Sequence, residues 1–348
     1  MVGDDAVTGD EAVLVDGEAG IERAVAVLRG GGLVAFPTET VYGLGADAAD
    51  PEAVARIFTA KGRPPSHPLI VHLGDLEALD RWAERVPPEA HLLADAFWPG
   101  PLTMLLWRAP GVPDVVTGGR PTVGLRVPDH PVARDLLARF GGGVAAPSAN
   151  RFGRVSPTTA AHVLSELRGH VDLVLDGGPC EVGVESTIVD LTGDEAVVLR
   201  PGGVSAERLA EVLGREPATA TDAPVDATGA RAPGMLAAHY APRARVEVLD
   251  EDLAAARVAT LLATTDATTG QGPTVGLLAP GVIDGLATDA VVLEPVGPPR
   301  DYARLLYARL RQADRLGLDV VVCVPPPPTG IGVAVRDRLR RAARGSVS

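Results

Sequence analysis

The sequence has almost no lysine and almost no asparagine. Lys61 is the single lysine among 32 lysine and arginine residues in 348, and Asn150 is the single asparagine. A planar guanidinium cannot replace a compact ammonium at a crowded anionic group, so a chain that uses arginine elsewhere indicates a specific role for Lys61. A lysine without a specific role, at a solvated helix end, would give the same composition. Position favours the specific role, because Lys61 and Arg63 precede two prolines at the entry to a loop.

Cysteine and positive charge are also scarce. Cys180 and Cys323 lie far apart and form no Cys-x-x-Cys pair, which argues against a disulfide framework or a cysteine zinc site. Both are predicted to be small buried apolar residues. The net charge of −13 argues against a protein that grips nucleic acid through its phosphates, although a local basic cleft is compatible with it. No strong direct binding of nucleic acid is expected.

Long apolar runs are absent as well. No run approaches the length of a membrane span, and the acidic residues 1–9 lack the pattern of a signal peptide. We therefore expect a cytoplasmic protein without a membrane partner. With 46% hydrophobic residues, the chain is long enough for two globular domains with cores of their own.

Short apolar runs alternate with helix-like runs in the first two thirds of the chain. The predicted strands are 33–36, 69–71, 102–107, 123–127, 144–146, 171–175, 188–191 and 197–199, and the predicted helices are 21–29, 51–60, 75–83, 88–97, 131–140 and 205–213. Polar clusters follow several of these strands. This pattern predicts an α/β domain at 20–214, after an N-terminal extension at 1–19, with a site along one edge of its sheet.

A second, smaller α/β domain is predicted at 246–348. Its strands are expected at 246–249, 274–278, 291–296 and 319–324, and its helices at 252–263, 302–316 and 331–343. The Gly330-Ile331-Gly332 sequence after the last strand imitates a dinucleotide fingerprint, but the glycine pattern is incomplete. The basic run 336–344 is interpreted as a solvated helix face.

Residues 215–245 are predicted to be a linker. Most of it is rich in Ala, Thr, Asp and Pro without periodicity, whereas His239-Tyr240-Ala241-Pro242 is too aromatic for an inert spacer. We interpret 234–242 as a lid that closes over a site, with docking of the second domain as the alternative.

Six motifs together carry a resemblance to a known family. They are Pro37-Thr38-Glu39-Thr40-Val41-Tyr42-Gly43-Leu44, Lys61-x-Arg63, Pro68-Leu69-Ile70-Val71-His72, Leu125-Arg126-Val127-Pro128, Pro147-Ser148-Ala149-Asn150 and Glu185-Ser186-Thr187-Ile188. The set resembles the YrdC-like family of threonylcarbamoyl-AMP synthases over about residues 20–214. The 239–242 segment and the second domain resemble the long, two-domain branch. The resemblance implies a twisted mixed sheet with flanking helices, followed by a smaller Rossmann-like α/β domain.

The resemblance also implies a reaction. L-threonine, bicarbonate or CO2, and ATP would give threonylcarbamoyl-AMP and pyrophosphate, and the product would feed the tRNA threonylcarbamoyl transferase machinery. Mg²⁺ would arrive on ATP, and no metal site in the protein is predicted. Such a reaction must gather anions and stabilise charge at phosphorus.

The family's functional residues transfer to matching positions of this sequence. Catalysis would rest on Lys61, Arg63, Ser148 and Asn150. These four would bind ATP together with His67, Thr122, Ser156, Arg200, His239 and Tyr240. Threonine would be held by Thr38, Thr40, His72, Arg126, the backbone of Ala146, and Ser186. His67 departs from the family, which more often has Asn there; imidazole can still donate a hydrogen bond, in a manner that depends on pH.

Two alternatives remain. The first is a carbamoyltransferase that forms a carbamoyl adenylate, although such enzymes usually append modules that are not visible here. The second is a factor that binds double-stranded RNA or assists ribosome assembly, against which the net charge of −13 counts.

Overall fold

A computed structural model describes residues 13–220, 233, 239–265 and 271–345. The first unit contains strands β1 (Val13–Val15), β2 (Val34–Phe36), β3 (Gly43–Asp47), β4 (Ile70–His72), β5 (Ala83–Glu84), β6 (Leu102–Arg108), β7 (Thr122–Arg126), β8 (Val144–Ala145), β9 (Leu173–Leu175), β10 (Thr187–Asp190), β11 (Val197–Arg200) and β12 (Ala218–Thr219). Its helices are α1 (Gly17–Arg29), α2 (Pro51–Lys61), α3 (Leu79–Trp82), α4 (Pro88–Phe97), α5 (Asp114–Thr117), α6 (Pro131–Phe140), α7 (Ala160–Leu167) and α8 (Ala206–Leu213).

These strands form one mixed sheet of 12 strands. The order is β1-β9-β2-β3-β8-β4-β7-β6-β10-β11-β12, with β5 paired to β6. Strands β4 and β7 are parallel neighbours, and His72 pairs with Arg126 in their register. The two polar residues therefore leave the apolar part of the sheet side by side. The predicted twisted mixed sheet with flanking helices is confirmed.

Helix α2 brings the rare lysine to the sheet edge. The side chain of Asp50 accepts hydrogen bonds from the amides of Glu52 and Ala53, and Pro51 occupies the first turn, as expected for a helix N-terminus. Gly62 ends the helix with a φ of +64°, a left-handed conformation that glycine adopts without a steric penalty. Lys61 is thereby held in the last turn, and the chain turns immediately into the loop that contains Arg63.

The second unit is a parallel sheet covered by helices. Its strands are β13 (Arg245–Val248), β14 (Val275–Leu278), β15 (Val291–Val292) and β16 (Val320–Cys323), in the order β13-β16-β14-β15. Its helices are α9 (Glu251–Leu262), α10 (Pro299–Arg315) and α11 (Gly332–Gly345). All three strand pairs are parallel, which agrees with the Rossmann-like expectation. One apolar cluster joins the units, because it contains Val155 and Val184 together with Tyr302 and Tyr307.

Several sequence expectations differ from the structure. Residues assigned to an extension include β1, an edge strand too short to give a periodic signal. Strand β3 is not among the predicted strands. Only glycine fits at Gly45, because an added Cβ would lie 2.7 Å from Val144 and 2.8 Å from Phe36. The helix expected at 75–83 is confined to α3, and the strand expected at 291–296 is confined to β15.

The basic run 336–344 is not a solvated face throughout. Arg338 lies within it and has no exposed surface, whereas Arg340 is exposed. No helix in the described ranges is long and apolar enough to span a bilayer. Cys180 and Cys323 are free and buried, as expected.

Candidate functional site

A cavity opens where strands of the large sheet end, beside the short segment that joins the units. Its walls include Thr38, Thr40, Val41, Gly43, Arg63, Ile70, His72, Arg126, Ala146, Pro147, Ser148, Glu185, Ser186, Arg200, Pro233, His239 and Tyr240. All six residues predicted to bind threonine lie on these walls, together with Arg63, Ser148, Arg200, His239 and Tyr240 from the predicted ATP set. The topology therefore gathers residues that are up to about 200 positions apart in the chain.

Arg126 has the partner that a charge inside an apolar strand requires. Its Nη2 lies 2.6 Å from Oε1 of buried Glu39, and its Nη1 donates to Oγ1 of Thr40 at 2.9 Å. Nε donates to the carbonyl of Gly100 at 3.2 Å. The guanidinium is thus fixed in the cavity wall before any ligand binds.

Two threonines complete this corner of the cavity. Oγ1 of Thr38 lies 2.8 Å from Oγ1 of Thr40 and donates to the carbonyl of Val41 at 2.6 Å. Thr38 Oγ1 also accepts from the amides of Thr40 and Val41. This turn explains why hydroxyl residues follow strand β2, since the side chain satisfies backbone groups that leave the sheet.

His72 is a neutral imidazole in this wall. Burial, followed by the nearby Arg126 guanidinium, lowers the pKa of His72 to about 3. Its Nδ1 is buried without a hydrogen-bond partner among the described residues. An unsatisfied buried nitrogen is costly, so a ligand hydrogen bond at this atom would be favourable.

Ser186 and Arg200 form the opposite wall. The Ser186 hydroxyl lies 2.8 Å from Oγ1 of Thr103 and accepts from Nη2 of Arg200 at 3.1 Å. Arg200 also donates to the carbonyl of Ser186 and, at 2.9 Å, to the carbonyl of Pro233. The buried guanidinium therefore ties the start of β10 to the segment between the units.

The single lysine, Lys61, and the single asparagine, Asn150, lie together behind the cavity. Nζ of Lys61 donates to the carbonyls of Ser148 and Asn150, both at 2.5 Å. The Asn150 amide donates to the carbonyls of Arg151 and Arg154 at 2.7 and 2.9 Å, while its Oδ1 has no partner among the described residues. Lys61 is only 3% exposed. The ammonium thus organises the loop of Ser148 and Asn150.

Arg63 presents an unsatisfied buried cation to the cavity. Its Nη2 donates to the carbonyl of Pro68 at 2.8 Å, but its Nε is buried without a partner among the described residues. Burial lowers its pKa to about 10, with Tyr240 and Arg200 as smaller influences. A group in this state is suited to an anionic oxygen.

Besides Lys61 and Asn150, three predicted ATP residues do not line the cavity. Ser156 is buried and donates to Oε1 of Glu185 at 2.7 Å. His67 packs against Phe152 at 5.4 Å between ring centroids, and burial lowers its pKa. Thr122 begins β7, about 13 Å from Arg126 by the rise of a strand.

Two residues of the predicted lid face the cavity. Tyr240 has a φ of +62°, which is strained for a bulky residue, and its hydroxyl is buried without a partner in the described ranges. The rings of His239 and Tyr240 meet edge to face at 4.0 Å. Residues 234–238 of the predicted lid, which include Gly234, lie outside the described residues.

Sequence reasoning assigned no role to the carboxylates. Glu39 is paired with Arg126 and is 4% exposed, and Glu185 lines the cavity. Both fall inside quoted motifs, and the need of Arg126 for a counter-charge was the available signal for Glu39. The part of the chain that the structure describes holds no group of three His, Cys, Asp or Glu residues arranged for a metal.

Comparisons with known proteins agree with this geometry. A family model described as "Telomere recombination" matches residues 26–202, and a model described as "Threonylcarbamoyl-AMP synthase, C-terminal domain" matches residues 204–344. The threonylcarbamoyl-AMP synthase of Pyrococcus abyssi is 43% identical over 328 residues, which cover 93% of this chain and 94% of that protein. The Bacillus subtilis protein of the same name is 38% identical, with 94% of both chains covered.

A solved structure matches both units at once. The crystal structure of P. abyssi Sua5 complexed with L-threonine has a TM-score of 0.87 and 40% identity to this chain, covering 96% of it and 98% of that chain. The alignment thus includes the sheet edge, the cavity and the second unit. The chain therefore belongs to the threonylcarbamoyl-AMP synthase family, in the form that has a C-terminal domain.

Proposed function

We propose that this chain condenses L-threonine, bicarbonate or CO2, and ATP to threonylcarbamoyl-AMP and pyrophosphate. One observation carries most of the weight. Lys61, Arg63 and Arg200 are buried, and their direct partners in the described ranges are carbonyl or hydroxyl oxygens rather than carboxylates. Buried cations without counter-ions are costly. A triphosphate would bring negative charge into direct contact with this group of cations.

The other end of the cavity suits an amino acid. Arg126 is fixed by Glu39 and Thr40, so the threonine carboxylate would share a guanidinium that is already oriented. Neutral His72 and the hydroxyls of Thr38, Thr40 and Ser186 offer hydrogen bonds to the side chain and the carbamate, and Ala146 offers its backbone. A cavity with guanidinium donors at both ends can hold two anionic reactants together.

The chemistry follows from this arrangement. The threonine nitrogen forms a bond to the carbon of CO2 and loses a proton, which gives a carbamate. A carbamate oxygen then forms a bond to the α-phosphorus, and the bond from that phosphorus to the bridging oxygen of the β-phosphate breaks, which releases pyrophosphate. Arg63 and the loop of Ser148 and Asn150, which Lys61 holds, would stabilise the charge on the phosphates. Mg²⁺ would come with the triphosphate, because the described residues offer it no cluster of ligands.

Three further ATP contacts remain proposals. His67 and Thr122 do not line the present cavity, so they would act on parts of the nucleotide that extend beyond it, whereas the buried hydroxyl of Ser156 would act through Glu185, to which it donates. His239 and Tyr240 would close the lid and exclude water from the reactive adenylate. The product would pass to the tRNA threonylcarbamoyl transferase machinery.

Pyrophosphate release tests the proposal. The full chain is incubated with ATP and each amino acid in turn, with and without bicarbonate, and the adenylate is identified by mass. We expect release that needs both threonine and bicarbonate. Release that ignores threonine would refute the proposal, and release that needs an added carbamoyl donor in place of threonine and bicarbonate would favour a carbamoyl-adenylate-forming carbamoyltransferase.

A further inference from the structure

Arg338 is a fully buried arginine of the second unit that reaches the first unit. Its Nε donates to Oε2 of Glu185 at 2.7 Å, and its Nη1 donates to Oδ2 of Asp337 at 2.5 Å. It has no exposed surface. A guanidinium in such a place is tolerated only with good partners. Glu185, which lies on the cavity wall, is the partner that belongs to the first unit.

Glu185 collects donors from both units. Its Oε1 accepts from the hydroxyl of Ser156 at 2.7 Å, and the hydroxyl of Tyr307 on α10 lies 3.1 and 2.9 Å from its two carboxylate oxygens. Burial raises the pKa of the Glu185 carboxyl, but Arg338, Arg200 and the Ser156 hydroxyl outweigh burial and lower it to about 2. The carboxylate is therefore kept charged by residues that come from separate units.

Tyr240 is held by the same two residues of the second unit. The guanidinium of Arg338 lies 5.2 Å from the centroid of the Tyr240 ring, within the range of a cation–π contact. The ring of Tyr307 stacks on Tyr240 at 5.8 Å. Because the positive φ of Tyr240 is strained, its position depends on these neighbours.

We propose that Arg338 and Tyr307 are positioning residues, through which docking of the second unit holds Glu185 and Tyr240 in place on the cavity wall. This inference rests on the proposed function and gives the second unit a part in it. Neither residue lines the cavity itself, so each acts through the group that it holds. Without the second unit, the first unit would keep the binding residues of its sheet, but Glu185 and Tyr240 would no longer be held in place.

The first experiment compares two arginines of α11 in the full chain. Arg338→Met removes the charge with little change in length, and Arg340→Met is the matched control on the exposed side of the helix. We expect Arg338→Met to lower kcat/KM for threonylcarbamoyl-AMP formation by about tenfold to a hundredfold, as when a buried charge loses its partner. Arg338→Lys should recover part of this loss, and Arg340→Met should match wild type.

The pH profile separates positioning from mere stabilisation. The charged and titratable groups that face Glu185 are Arg338, Arg200, Tyr307, Tyr240 and His239. Without Arg338, burial remains and the pKa of the carboxyl rises. The acid limb of kcat/KM should therefore move to higher pH in Arg338→Met and stay in place in Arg340→Met.

A second pair of variants decides the matter if Arg338→Met does not fold. Tyr307→Phe keeps the ring stack and removes only the donor to Glu185. Tyr302→Phe is its matched control, because the Tyr302 hydroxyl is also buried on α10 but bonds to the carbonyl of Val324 within the second unit, at 3.1 Å. We expect a kcat/KM loss of about tenfold for Tyr307→Phe alone.

The outcomes distinguish the two hypotheses. If wild type makes no threonylcarbamoyl-AMP, the proposed function fails. If wild type is active while Tyr307→Phe matches Tyr302→Phe, and any folded Arg338→Met matches Arg340→Met in kcat/KM and in pH profile, the positioning role is overturned and the proposed function stands.

Discussion

Exchange of Lys61 for arginine is the sharpest test of the single lysine. The chain uses arginine at every other cationic position, so Lys61→Arg conserves charge and follows the chain's own preference. The structure nevertheless leaves no room for it. The ammonium is only 3% exposed and donates to the carbonyls of Ser148 and Asn150 at 2.5 Å each.

The magnitude follows from those two bonds. A hydrogen bond to a charged group contributes about 1.5–3 kcal/mol, so loss of both would destabilise the first unit by about 3 kcal/mol or more. Overpacking by the larger guanidinium would add about 1–3 kcal/mol. A loss of about 3 kcal/mol lowers the Tm of a unit of this size by about 6–12 °C. Because the displaced carbonyls belong to the Ser148–Asn150 loop, activity should fall at least a hundredfold.

The assay pairs calorimetry with pyrophosphate release at a temperature where the variant is folded. The control is Arg56→Lys on the same helix, where Arg56 forms an exposed ion pair with Asp172 and the reverse exchange should cost little. Activity of Lys61→Arg within a few-fold of wild type, with an unchanged Tm, would show that the lone lysine is an accident of composition.

Three further predictions use other parts of the site. Asn150→Ala should lose turnover while the ligand-free protein stays folded, and a calorimetric Tm loss above about 10 °C would assign Asn150 to structure instead. Arg311→Met removes the contact at 2.6 Å from Arg311 to Glu166. The other carboxylate oxygen of Glu166 accepts from the amide of Arg151 at 2.9 Å, directly after Asn150 in the proposed ATP site. We therefore expect a higher KM for ATP, and an unchanged KM would refute that link. Burial lowers the pKa of His239 to about 3 from 6.5, so between these pH values the unfolded state binds more protons and the free energy of unfolding falls as pH falls. His239→Gln should remove about 2 kcal/mol of the loss in unfolding free energy between pH 7 and pH 5. If urea unfolding shows the same loss in the variant as in wild type, this prediction is contradicted.

Much of the sheet edge could be predicted because its signals are local. The Asp50-Pro51 helix start and the Gly62 helix end are encoded within a few residues. The apolar residues around Arg126 in its strand indicate a buried charge that needs a partner, and Glu39 is that partner. The two rarest residues also proved to be neighbours, since Nζ of Lys61 contacts the carbonyl of Asn150. The catalytic roles of these residues stay predictions.

The interface between the units could not be predicted from local pattern. The basic run that contains Arg338 has the composition of a solvated helix, and the burial of Arg338 depends on Glu185, 153 positions earlier, as well as on neighbouring Asp337. Strand β3 was missed for a similar reason. Its glycines have low strand propensity, and the close approach of Phe36 and Val144, which requires Gly45, exists only in the folded sheet.

Four buried arginines at the cavity and at the interface between the units divide into two classes by their direct partners, and the division assigns their tasks. Arg126 and Arg338 contact carboxylates, so their charge is compensated before any ligand arrives and their cost is met within the protein. Arg63 and Arg200 contact only carbonyl and hydroxyl oxygens in the described ranges. Substitution of Arg126 or Arg338 should therefore leave a buried carboxylate without its counter-charge and destabilise the ligand-free protein. Substitution of the second class should relieve repulsion in the empty protein and weaken only the binding of an anion, so Arg63→Met should raise the Tm without ATP and lower the further increase that ATP gives. A lower Tm of ligand-free Arg63→Met would place Arg63 in the first class.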